Sequence, residues 1–308
     1  MCRYWYDIYY LSLIFDGEIQ ILNPFFEVVE TIKDDRIKSD GSWIFYFSMN
    51  YYILFNEHFD MKARKLVSTA VIKREGKEIY QNGFIGKILN SSFRLNFNER
   101  ERNTPRNFRC SDLLDEHTYW EYDCGEGYIA GRFYMWNEKL VFSKSKGADV
   151  QLILIDMPTG IVDWEVEIPY GSFFFDEQNG MLTSVWGSKK EGGEFQIIHL
   201  DKRLVEIGRL EDFNMEYVRV NWQTQYLENN KYYFTETVYT TSNERPRPIK
   251  FGRFDIETKK IDFLQEVPGS AGHQFAQVIY HDSKLYLRSS ANELFILGEE
   301  NSAMHLKV

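Results

Sequence analysis

At 308 residues, 44% hydrophobic and 17% aromatic, the chain has ample apolar material for a large core and is excluded from the disordered class. Its 46 acidic and 36 basic residues give a formal charge of −10, which disfavours nucleic acid or an anionic membrane as partner and favours a basic protein. The longest apolar runs fall well short of the roughly 20 residues of a membrane helix, and the first residues carry no small-residue cleavage site, so a cytoplasmic protein is expected.

In chain order, strand-like runs come in groups. A short first unit, "YYLSLIFDGEIQILNPFFEVVETI" (9–32), is followed by a hairpin turning at Asp60 in "YYILFNEHFDMKARKLVSTAVI" (51–72) and by a weaker turn at Asp112 in "FRCSDLLDEH". Next come "YIAGRFYMW" and "KLVFSKS", then the hairpin "DVQLILIDMPTGIVDWEVEI" turning at Asp156. The plan returns with "SFFFDEQN", "GMLTSVWG" and a hairpin at Asp201. It returns again with "YVRVNWQTQYLEN", "KYYFTETVYTT" and a hairpin at Asp255. "HQFAQVIYHD", "KLYLRSS" and "NELFILGEEN" begin a last set. Phe, Tyr and Trp are frequent throughout, as suits pleated, half-buried surfaces.

Groups of four antiparallel strands at a period of about 45 residues are the mark of β-propeller blades, because one small sheet buries neither face until neighbours stack on it. The expected fold is all-β: one propeller spanning 1–308, with seven blades, or six if the first short unit completes the last blade. No proline-rich or Gly/Ser-rich linker divides the chain.

Asp156, Thr159, Gly160 and Trp164 form D-x-x-T-G-x-x-x-W, which resembles the repeat motif of quinoprotein-type propellers, the fold of pyrroloquinoline-quinone dehydrogenases and of outer-membrane assembly lipoproteins. The resemblance implies a hairpin turn whose tryptophan docks between blades and holds no cofactor. It is partial at Asp255, Thr258 and Phe263, and Ile161 stands where that family usually has Lys. An Asp opening a turn bonds its own backbone, and Gly160 permits a positive φ.

No catalytic signature stands out. His58, His117, His199, His273, His281 and His305 form no close metal pair, and Cys2, Cys110 and Cys124 form no CxxC, so neither a metal nor a cofactor is expected. "CGEG" (124–127) reads as a loop cysteine before a strand. The arginines of "FNERERNTPRNFR" (97–109) read as a solvated insertion against the acidic background. "DEHTYWEYDCGEG" (115–127) gathers acidic residues around two aromatics, a composition suited to a binding rim. It reads as a connection between blades, as does "LEDFNME" (210–216). The expected partner-binding residues are therefore Trp120, Glu121, Tyr122, Asp123, Glu126, Glu211 and Asp212. The expected function is a non-enzymatic binding propeller for a basic protein, with an immunity protein that neutralises a toxin as one concrete form. The alternative is a propeller enzyme, quinone-dependent or carbohydrate-active, with carboxylates near the central channel.

Overall fold

A computed structural model describes residues 11–23, 25–39, 42–48, 51–60, 65–74, 76–82, 86–89, 92–97, 106–112, 117–211, 213, 217–218, 226–228, 230–238, 247–266, 275–281, 284–289, 293–298 and 303–307. Every regular element among them is a β-strand. The chain divides into two compact units, Met1–Asp123 and Cys124–Val308. In the first, the described strands form a three-stranded sheet (11–33) and two four-stranded sheets (42–82 and 86–123). In the second they form sheets at 128–168, 174–210, 226–266 and 275–307; Tyr217–Val218 adds a fifth strand to the second of these. In each sheet of three or four strands the order follows the chain, and every pairing is antiparallel.

In the 128–168 sheet, the third strand is buried on both faces and the fourth on one. Leu152, Ile153, Leu154 and Ile155 are all buried in Asp149–Asp156, whereas in Val162–Ile168 Val162, Glu165 and Glu167 remain exposed. Continuous apolar runs therefore mark middle strands and broken alternation marks the last. Adjacent sheets pack face to face. In the second unit Val141 and Leu154 meet Leu182 and Ile198, Met181 and Ile197 meet Tyr232 and Phe254, and Tyr233 and Phe251 meet Leu285 and Phe295. In the first unit Ile19, Ile21 and Ile32 share a core with Ile44, Leu54 and Val71.

The turn between third and fourth strands is built as its residue types dictate. Asp156 accepts bonds from the Thr159 amide (3.2 Å) and hydroxyl (2.6 Å), while Gly160, at φ 71, donates to the Asp156 carbonyl. Asp255 accepts from the amides of Glu257 and Thr258, and in the three-stranded sheet Asn23, between the second and third strands, accepts from those of Phe25 and Glu27. An extra residue on the fourth strand then bulges: Asp163 falls between the Ile155–Val162 and Leu154–Trp164 pairs, and Asp262 holds the same place before Phe263. The bulge turns Trp164 toward the core shared by the 128–168 and 174–210 sheets, where it packs partly buried as the motif implies.

Two hairpins differ from the sequence reading. The turn after Asp60 joins second and third strands, Tyr51–Asp60 and Lys65–Arg74; the third-to-fourth turn of that sheet passes through Gly76, at φ 78. A hairpin's residues specify a turn, not its place in the sheet. At 199–204, His199 pairs with Leu204, so His199 and not Asp201 opens the turn.

Candidate functional site

Trp120, Glu121, Tyr122 and Asp123 lie on the strand Thr118–Asp123, the last of the 86–123 sheet, and not in a connection as the sequence suggested. Charge alone resembled a loop, but the strand pairs with Asn107–Asp112 along its length. Its faces alternate. Trp120 and Tyr122 are half-buried and close over the buried Phe108, with ring centroids 5.8 and 5.4 Å away. Glu121 and Asp123 point the other way and are exposed; Glu121 pairs with Arg109 at 2.8 Å. Arg109 is thus a strand residue, while 98–105 of the arginine-rich stretch lie outside the described residues.

Trp120 occupies the place of the repeat tryptophan. The Asp112 amide donates to the His117 carbonyl as the Asp156 amide donates to that of Ile161, and Tyr119 bulges between the Ser111–Thr118 and Cys110–Trp120 pairs as Asp163 does before Trp164. Asp112 and Trp120 stand eight residues apart, as do Asp156 and Trp164. That spacing was available in the sequence and identifies Trp120 as a packing residue. The bulged Tyr119 is exposed, its ring meets Phe93 and His117 edge-on, and its hydroxyl donates to Asp112 at 3.1 Å.

The remaining candidates belong to the second unit. Glu126 is exposed in the Cys124–Gly127 turn and pairs with Lys146. Glu211 is exposed just after Leu204–Leu210, and Asp212 lies outside the described residues.

Sequence reading missed an ion-pair lattice along the third-to-fourth turns of the second unit. Arg203 and Lys259 occupy the positive-φ position held by Gly160. Each reaches back to an acid on the fourth strand of the preceding sheet, Arg203 to Asp163 at 2.8 Å and Lys259 to Glu206. Lys139 and His199 hold the same acids from within their own sheets. The Lys259 ammonium, with His199, keeps the Glu206 carboxyl below its usual range. Thr159 does the same for Asp156. At Asp255 burial pushes upward, but Lys231 and the amides of Thr258 and Glu257 prevail and lower it. Cys110 and Cys124 are buried, and burial pushes the Cys110 thiol up to about 12, which disfavours a thiolate nucleophile there. Among the described residues no group of three His, Cys, Asp or Glu side chains is arranged to hold a metal, and no helix is long and apolar enough to cross a membrane.

Among solved structures, the chain is similar to BamB from Moraxella catarrhalis (TM-score 0.53, 8% identity, covering 100% of this chain and 85% of that one). It is similar also to Kluyveromyces lactis Hsv2 (0.55, 9%, 97% and 94%) and to the dihydro-heme d1 dehydrogenase NirN in complex with DHE (0.55, 11%, 99% and 65%). These are β-propeller proteins, and their likeness makes this an all-β chain of propeller fold, consistent with the quinoprotein-type resemblance. No protein-family model matches it, and no curated protein is similar to it in sequence.

Proposed function

We propose that the protein is a non-enzymatic, cytoplasmic binding propeller for a basic protein, each sheet serving as one blade of seven. An immunity protein that masks the cationic surface of a toxin is the concrete form. The reading is carried by the net charge of −10 together with the exposure of Glu121, Asp123, Glu126 and Glu211. Trp120 and Tyr122, closed over Phe108, hold the Thr118–Asp123 strand in place and leave contact with the partner to the carboxylates beside them.

Exposed carboxylates steer a cationic partner more than they retain it. Neutralising Glu121, Asp123, Glu126 and Glu211 together to Gln or Asn should slow association with a cross-linked and purified partner and flatten its dependence on salt. Association rates at low and high ionic strength are the measurement. Unchanged rates with the strands intact would remove these carboxylates from partner recognition.

A further inference from the structure

The three-stranded sheet of the first unit ends in a hairpin tip that is costly in two ways. Phe25 and Phe26 are 81% and 73% exposed at the tip, and Val28 and Val29 follow them into solvent on the next strand. Phe26 also holds φ at 63, a left-handed conformation unfavourable for a bulky side chain and natural to Gly or Asn. The turn is nonetheless firmly made. Asn23 accepts from the amides of Phe25 (2.9 Å) and Glu27 (3.0 Å), its side-chain amide donates to Glu27, and its carbonyl accepts from the Phe26 amide. Strain and exposed aromatic surface on one ordered turn, neither offset within the fold, point to a surface made for contact.

The charge around the tip indicates what it contacts. From 22 to 31 the chain carries Glu27 and Glu30 and no cation. Glu30 sits just past the bulged Val29, where other sheets carry Trp120, Trp164 or Phe263, and its Oε2 is buried there, so Glu30 faces inward and not the partner. Glu27, exposed between Phe26 and Val28, is the carboxylate open to a partner, and beside an apolar tip it suits a cationic rim and not an anionic surface.

We infer that the 23–30 hairpin is the anchoring element of the protein's interface, inserting Phe25 and Phe26 into an apolar recess of a protein partner rimmed by Lys and Arg. This rests on the basic-partner reading and supplies the buried anchor which the carboxylates of that reading lack.

A random peptide library displayed on phage can be selected on the full-length protein and compared with selection on a Phe25→Ser/Phe26→Gly double variant. Selected peptides should combine apolar residues with Lys or Arg and bind the double variant at least about tenfold more weakly, the scale of losing a hot-spot residue. The double variant should unfold no earlier than the wild type, since glycine relieves the left-handed backbone; Phe25→Ser alone, away from the strain, serves should it not fold. Basic peptides that bind wild type and variant alike would overturn the hairpin and leave the basic-partner reading standing. Enrichment without Lys or Arg would overturn both. Flotation of the wild type, but not the variant, with phosphatidylcholine vesicles, or self-association lost in the variant, would also overturn the inference by assigning the tip to a lipid surface or to a second copy.

Discussion

Arg203 lies 2.8 Å from Asp163, and this ion pair ties the turn of the 174–210 sheet to the last strand of the 128–168 sheet, with Lys259 and Glu206 repeating it one sheet on. Both cations sit at positive φ, where glycine costs least. Arg203→Gly should therefore be nearly neutral, the lost pair offset by relieved backbone, whereas Arg203→Ala, which keeps the strain and loses the pair, should cost about 1 kcal/mol. Arg203 is half exposed, so a double-mutant cycle with Asp163→Ala should return a coupling below about 1 kcal/mol that shrinks in high salt. Urea midpoints of the four variants, the double mutant included, are the measurement, and a stabilised Arg203→Ala would refute the account.

Trp164 and Ile207 stand eight residues after Asp156 and His199, yet the bulge at Asp163 turns Trp164 toward the core, while Ile207, on an unbulged strand, is 57% exposed. Trp164→Ala should destabilise by about 2–4 kcal/mol, somewhat below the ~3–5 kcal/mol of a fully buried large aromatic because it is only partly buried. Ile207→Ala should cost less than about 0.5 kcal/mol. Trp120→Ala should resemble Trp164→Ala in a thermal melt, since Trp120 packs on Phe108; a loss as small as that of Ile207→Ala would show that Trp120 is free to serve as a contact residue.

Asp156, Glu206 and Asp255 have folded pKa values below the ordinary carboxylate range. When folding lowers a carboxyl's pKa, its contribution to stability is present above the unfolded value, near 4, and is lost as pH falls through the folded value. Stability should thus decline at acid pH from about 4 downward. Asp255→Asn, which keeps an acceptor for the Glu257 and Thr258 amides, should flatten that decline in denaturant melts from pH 6 to 2; an unaltered acid limb would show that Asp255 contributes nothing to it.

Cys110 is buried, with its thiol raised to about 12 from 9.0. A thiol kept protonated by folding binds its proton more tightly folded than unfolded, so stability falls as pH rises from 9 toward 12. In the native protein Cys110 should resist alkylation by iodoacetamide near pH 8 and react fully in denaturant, as read by peptide mass spectrometry. Rapid native labelling would place it at the surface.

The strand content, the approximate repeat and the turn chemistry were legible because they are local. Apolar runs such as Leu152–Ile155 reported middle strands, and Asp156, Thr159 and Gly160 named the bonds that their turn makes. The packing of Trp120 is legible too, in its eight-residue distance from Asp112, which equals that of Trp164 from Asp156. Three features required the tertiary structure. Register decided whether the residue eight past the turn faces core or solvent, because a single bulged residue inverts the alternation beyond it. Sheet-to-sheet packing decided that Arg203 and Lys259 meet Asp163 and Glu206, pairs 40 and 53 residues apart that no local pattern joins. Exposure decided that Phe25 and Phe26 stand in solvent at a strained tip, since two adjacent phenylalanines in a strand-rich chain read equally well as core, and only the neighbouring surfaces determine which they are.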